Sequence, residues 1–213
     1  ITYFPIGEDK FQELLIQLEK AEHFIFLEYF IVAEGEMWGK VLDILARKVK
    51  TGVDVRLMYD GTCEFSTLPH DYPKRLKKLG IKCKMFAPLT PFISTHYNYR
   101  DHRKILVIDG HTAFTGGVNL ADEYINKYEK HGHWKDAAIM LQGEAARSFT
   151  LMFLQMWNID ERTPVIEKFL HGYSVPENEC KGFIIPYADS PLDNETTGEM
   201  VYIDILNRAQ KYV

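Results

Sequence analysis

The sequence predicts an α/β layered fold built around a mainly buried central sheet. Three observations predict it. Segments with apolar residues at helical spacing alternate along the chain with β-branched and aromatic runs. Gly and Asp-Gly punctuation separates them. The 213 residues are 46% hydrophobic and 26% charged, ordinary globular proportions that exclude a disordered, collagen-like or coiled-coil chain.

Phe11, Leu14, Leu15 and Leu18 share a helical face after Gly7-Glu8-Asp9. Residues 23–32 are β-branched and aromatic, a strand interrupted by Glu28. Val41, Leu42, Leu45, Ala46 and Val49 mark a second helix, closed by Gly52. A strand over 53–59 ends at Asp60-Gly61. A short basic helix over 72–79 stops at Gly80, and a strand over 81–86 follows. Residues 104–108 and 112–115 read as two strands around Asp109-Gly110, short enough to be a hairpin and to make the sheet mixed. A strand over 136–141, a helix over 145–157, a polar connector over 159–180, a last strand over 182–186 and a last helix over 199–209 complete the pattern.

The net charge of −5 argues against general nucleic-acid affinity, which relies on many Lys/Arg–phosphate contacts. No run approaches the ~18–20 apolar residues of a membrane span. Cys63, Cys83 and Cys180 are widely spaced and form no CxxC pair, which disfavours a disulfide framework or a zinc site and suits a reducing compartment. The sequence opens on Ile1 and closes on Lys211-Tyr212-Val213, and is expected to be a piece of a longer chain.

The chemistry is concentrated in Asp101-His102-Arg103-Lys104-Ile105-Leu106-Val107-Ile108-Asp109, followed by Thr115-Gly116-Gly117-Val118-Asn119. Alternation along a strand points His102 and Lys104 the same way. An imidazole beside an ammonium suits a phosphate ester: Lys104 holds the phosphoryl oxygens, and His102 attacks phosphorus or donates a proton. Asp109 faces the opposite way from His102 on a regular strand, which favours a turn or structural role over acid–base chemistry. Gly116-Gly117 lets backbone approach a ligand closely. Asn119 either caps a helix from Leu120 onward, with Asp122 completing a capping box, or turns its amide to a phosphoryl oxygen. That helix N-terminus would itself favour phosphate. His102-x-Lys104 alone is more often a surface pair. The complete spacing has a chance frequency on the order of 10^-8 per start position.

These residues resemble the phospholipase D superfamily, whose signature is HxKx4D followed by GGxN or GSxN. His102, Lys104, Asp109, Gly116, Gly117 and Asn119 match without a gap, and the full pattern occurs once. The surroundings, among them Phe26-Leu27-Glu28-Tyr29-Phe30, Asn98-Tyr99-Arg100 and Trp134-Lys135-Asp136, resemble bacterial cardiolipin synthases. The resemblance implies a phospholipase D-like α/β/α sandwich with a mixed sheet. It implies phosphatidyl transfer between two phosphatidylglycerol molecules through a phosphohistidine, with release of glycerol and without metal or other cofactor. It casts His102 as nucleophile, Lys104, Gly117 and Asn119 as phosphate holders, Asp109 as a motif residue of the catalytic set, and Asp136 as the carboxylate that orients the histidine. Asp136 is otherwise an ordinary strand-start residue.

The family site uses two such motifs. Residues 1–165 are therefore expected to be a first domain, and 166–213 a connector plus the truncated start of a second. The expected partners are phosphatidylglycerol and other anionic phospholipids, a membrane surface at the cytoplasmic face of the cell membrane, and either the missing second half or a homodimer mate. No nucleic acid is expected. Another phosphodiesterase or nuclease acting as a homodimer, and a non-catalytic phospholipid-binding module, are the alternatives.

Weaker features remain. Glu28 faces either the basic site or water at a strand end. Lys74, Arg75, Lys77, Lys78, Lys82 and Lys84 form a basic cluster, either a solvated face or a contact for anionic headgroups. His131-Gly132-His133 resembles a metal pair only superficially, since no third ligand is evident.

Overall fold

The computed structural model describes residues 1–88, 99–130, 132–171 and 182–213. Seven strands form one sheet: β1 (Thr2–Phe4), β2 (Phe24–Tyr29), β3 (Asp54–Asp60), β4 (Lys82–Phe86), β5 (Lys104–Ile108), β6 (Thr112–Gly116) and β7 (Ala138–Gln142). Their spatial order is β1-β7-β6-β5-β2-β3-β4. β2, β3 and β4 run parallel. β5, β6 and β7 form an antiparallel meander, and β5 joins β2 antiparallel. The mixed sheet follows from the β5–β6 turn: Asp109 and Gly110 both adopt positive φ, 52° and 72°, within the three-residue connection between Ile108 and its partner Thr112.

Helices cover both faces. α1 (Gly7–Glu19) and α2 (Glu36–Lys50) lie on one face, where Leu14, Leu18, Val41 and Leu45 pack against Leu27, Leu57 and Leu106. α5 (Ala146–Trp157) and α6 (Glu167–His171) lie on the other, where Phe153 and Phe169 pack against Phe26. β2 is buried at all six residues, which is why it reads as a nearly continuous apolar run rather than an alternating one. α3 (Cys63–Ser66) and α4 (Tyr72–Lys78) link β3 to β4, and α7 (Thr197–Arg208) closes the chain. Phe169 is 3% exposed, so the packed body runs past residue 165. No residue of α7 is buried.

Two expected elements differ. Residues 182–186 form no strand: Phe183 is 98% exposed, and the segment joins neither sheet edge. It does not alternate, and Pro186 lacks a donor for a ladder. No helix starts at Leu120. Leu120 is instead extended and bonded to the chain after β2, its N–H to the Ile31 carbonyl and its carbonyl to the Ala33 N–H. Only a 3-10 turn, Asp122–Ile125, follows. Leu120 and Ala121 are fully buried, and burial against β2 outweighs the local helix signal. Asp122 caps another helix, accepting bonds from the N–H groups of Glu36 (2.9 Å) and Met37 (2.7 Å) at the start of α2. β1, at three residues, is too short to announce itself by periodicity.

Candidate active site

The β2–β5 register sets Tyr29 opposite Lys104, so His102 projects just beyond the last paired residue. The antiparallel meander returns the 116–119 turn to the same end of the sheet. His102, Lys104, Gly117, Asn119 and Asp136 thus line one cavity of about 910 Å³, with Arg103, Trp134 and Tyr187 among its other walls.

His102 is exposed and Lys104 is buried. The Lys104 ammonium lies 3.1 Å from His102 Nδ1 and donates to the His102 carbonyl at 2.6 Å. The Phe30 ring packs beside the imidazole, with centroids 4.7 Å apart. Burial holds the Lys104 amine down at about 8, against the pull of Asp101 and Asp136. Burial, then the Lys104 charge, lowers the His102 imidazole below its ordinary value. The His102 shift favours the neutral, nucleophilic imidazole, while a Lys104 value of about 8 leaves its ammonium mostly charged at neutral pH.

Gly117 is required by close approach. A Cβ there would lie 1.8 Å from Asp136 Oδ1. The Gly117 N–H bonds the Ala137 carbonyl at 2.9 Å, holding turn and carboxylate together. Asp136 also accepts from the Trp134 indole at 3.2 Å. Among the described residues no hydrogen bond joins Asp136 to His102; the carboxylate acts instead on the charges of Lys104 and Lys10.

Asn119 does not take the capping position open to it in the sequence. Its Oδ1 accepts from the Ile31 N–H (3.0 Å) and its Nδ2 donates to the Tyr124 hydroxyl (2.8 Å). It caps no helix, because none follows, and it lines the cavity with one of its two amide N–H groups engaged. Asp109 lies outside the cavity, at the far end of β5. Its carboxylate accepts from the N–H groups of Glu22, His23 and Phe24 at 2.7, 2.8 and 2.7 Å. This is a clamp on the start of β2, and it gives Asp109 no contact with a reacting group.

Glu28 is fully buried, not at a watered strand end. Arg103 Nη2 lies 2.5 Å from its Oε1, and Arg103 Nε lies 3.2 Å from Asp101 Oδ1. Burial, then the neighbouring Asp101 carboxylate, pushes the Glu28 carboxyl well above its usual range, while Arg103 pulls it down. Arg103 and Asp101, Tyr124 and Lys10 are the residues that motif reading passes over. Alternation could have drawn attention to the first two, since they flank His102 in the segment leading into β5.

The weaker features also find their places. Among the described residues no group of three or more His, Cys, Asp and Glu is arranged to hold a metal; His131 lies outside those residues. Cys63 and Cys83 are free, and Cys180 lies outside the described residues, as do His96 and Asn98. In the basic cluster Arg75 pairs with Asp71, Lys82 with Asp54 and Lys84 with Glu161.

The sequence profile of the family described as "Cardiolipin synthase, PLD-like domain" matches residues 14–157. The chain belongs to this family. A cardiolipin synthase of Alkalihalophilus pseudofirmus is 33% identical over 97% of the chain and 41% of its own length. A cardiolipin synthase 2 of Bacillus cereus is 41% identical over 97% of the chain and 40% of its own length. An uncharacterized protein of Streptococcus mutans is 61% identical over the whole chain and 46% of its own length. The chain therefore spans less than half the length of these relatives. Among solved structures, NucT from Helicobacter pylori superposes with a TM-score of 0.57 at 13% identity, over 74% of the chain and 94% of NucT. Nuc from Salmonella typhimurium, a phospholipase D family member, gives 0.54 at 19% identity, over 73% of the chain and 91% of Nuc. These two likenesses concern the fold, a phospholipase D-like α/β/α sandwich.

Proposed function

We propose that the chain is the first catalytic half of a cardiolipin synthase that transfers a phosphatidyl group from one phosphatidylglycerol to another. The observation that carries this reading is the convergence of His102, Lys104 and the Gly117–Asn119 turn on one cavity, in a chain of the cardiolipin synthase family.

In the resting geometry the Lys104 ammonium donates to Nδ1, so a neutral imidazole carries its proton on Nε2. A bound diester draws Lys104 to its phosphoryl oxygens. Nδ1 then takes the ring proton, and the Nε2 lone pair faces phosphorus. The Nε2–P bond forms as the P–O bond to glycerol breaks, and the departing oxygen takes a proton from an acid of the second motif. The hydroxyl of a second phosphatidylglycerol gives its proton to that same group and attacks phosphorus, breaking the P–N bond. Lys104 balances the phosphoryl charge throughout.

Because the family site uses two motifs, the chain alone is proposed to have little transferase activity. Residues 182–213 fit the approach to and opening of the second half: α7 exposes Tyr202, Ile203 and Ile205, side chains suited to burial against further structure. No helix of the described residues is long and apolar enough to cross a membrane. The work site proposed here is the cytoplasmic face of the cell membrane, with anionic phospholipids as partners.

The test is phosphatidylglycerol turnover by the full-length protein, compared with His102→Ala, with acid-quench trapping of phosphohistidine. Loss of turnover and of the trapped adduct is expected. Full turnover by the variant overturns the assignment. Robust turnover by the isolated chain as a dimer supports a homodimeric phosphodiesterase instead.

A further inference from the structure

Lys10 is a lysine where α1 should carry a core residue. It shares the helix face of Leu14 and Leu18, and it is 2% exposed. Its ammonium contacts the Tyr29 hydroxyl and the Val118 carbonyl, each at 3.3 Å. Val118 lies between Gly117 and Asn119, in the turn that walls the candidate phosphate site. Tyr29 is the cross-strand partner of Lys104. Lys10 therefore stands directly behind both halves of the motif.

We propose that Lys10 is a positioning residue for the phosphate site, fixing the Val118 carbonyl from beneath and balancing the Asp136 carboxylate packed on Gly117. This rests on the reading of His102, Lys104 and Asn119 as a phosphodiester site.

The surroundings support it. A buried ammonium is destabilising unless a charge or dipole compensates. The compensation here comes from Asp136, the charge that supports Lys10, set against a burial that lowers the amine to about 7. From β2 the facing group is Tyr29, whose hydroxyl burial keeps neutral. On β5, Lys104 draws on the same Asp136. On the 3-10 turn, Tyr124 also lies under the field of Asp136. On α1 itself Glu13 is turned away to Gln17. With Lys10 charged, Asp136 is balanced from behind, and Lys104 is left to face the diester. With Lys10 neutral, Asp136 competes with the diester for Lys104. Linkage makes the effect reciprocal: a diester that binds better when Lys10 is charged must raise the affinity of Lys10 for its proton.

The experiment uses dimethyl phosphate, whose single charge is fixed across the pH range, and follows binding to the chain by NMR. Lys10→Met keeps length and volume without charge. Its affinity at pH 6 is expected to fall about 10-fold, and the weakening of wild-type binding between pH 6 and 8 is expected to shrink. In the unmodified chain the labelled Lys10 ammonium is expected to titrate higher with ligand than without, a readout independent of whether the variant folds. If Lys10→Met binds as wild type with the same pH profile and only its melting temperature falls, or if the Lys10 titration does not move, Lys10 merely fills space and the proposal is overturned. Lys104→Met separates the two readings. Loss of binding there, with none in Lys10→Met, leaves the site standing without Lys10. Unchanged binding in both removes the site and the proposal with it.

Discussion

The Lys104 ammonium lies 3.1 Å from Nδ1 of His102, so the two titrating groups of the motif govern each other. Lys104 is the second cause, after burial, of the lowered His102 value. Removing its charge in Lys104→Met is expected to let the His102 imidazole titrate higher, as seen in its ring-proton NMR shifts. In the free protein Lys104 itself loses its proton at about 8. The phosphate holder is then charged below that value and neutral above it. The kcat/KM of the full-length protein is expected to fall about tenfold per pH unit above 8 if the ammonium is essential. Lys104→Arg, which stays charged, should abolish that limb even at a lower overall rate. A basic limb that survives in Lys104→Arg would assign it to another group.

Asp109 belongs to the motif by spacing and to the fold by contact. Three backbone N–H groups of residues 22–24 depend on its carboxylate. Asp109→Ala removes the shared acceptor of those three donors at the start of β2, at a cost of about 3 kcal/mol. Urea denaturation should show the loss. Dimethyl phosphate binding, measured where the variant is still folded, should be unchanged. A stable variant with lost binding would put Asp109 back into the chemistry.

The same contrast explains what the sequence made legible. Helices α1 and α2 and the β5–β6 hairpin declare themselves locally, through periodicity and through Asp109-Gly110. So does the pairing of His102 with Lys104, which needs only strand alternation. The capping-box reading of Asn119 and Asp122 failed because both side chains have distant partners: Asn119 bonds Ile31, and Asp122 bonds Met37, 85 positions away. Local patterning cannot show a cap supplied to another helix. The Glu28–Arg103 contact depends on the β2–β5 register, and Lys10 on which helix face meets Val118. Both are tertiary facts.

Glu28 makes a pH prediction of opposite sense to an ordinary salt bridge. Its carboxyl is raised in the folded protein, first by burial and next by Asp101. The folded state thus prefers the protonated form more than the unfolded state does. The stabilisation is complete below the unfolded value, about 4.3, and is lost as pH rises through the folded one. Glu28→Gln, which cannot ionise, is expected to gain stability relative to wild type between pH 4 and 8, read from urea midpoints. Glu28→Ala should cost more stability than Glu28→Gln, because it leaves a cavity and removes one of the two carboxyl partners of Arg103. If instead the deficit of Glu28→Gln deepens as pH rises, Glu28 acts as an ionised partner of Arg103.

Gly117 tests whether the turn and Asp136 work as a unit. A methyl there would overlap Asp136 Oδ1 at 1.8 Å and Cγ at 2.5 Å, so carboxylate or turn must move. The Gly117 backbone lies outside the positive-φ region, so the penalty is steric rather than conformational. The displaced carboxylate would loosen the electrostatic support of Lys104 and Lys10, and the displaced turn would carry Asn119 with it. A shift of about 1 Å at a reacting centre costs on the order of 100-fold in rate. Gly117→Ala in the full-length protein is expected to lose kcat by that factor. Gly39→Ala, at an α2 position where a methyl meets nothing within 4 Å, should keep wild-type activity. Trimming the clashing group in the double variant Gly117→Ala, Asp136→Ala should recover stability without recovering rate. Full rate in Gly117→Ala alone would mean that the turn is not held against Asp136 during turnover.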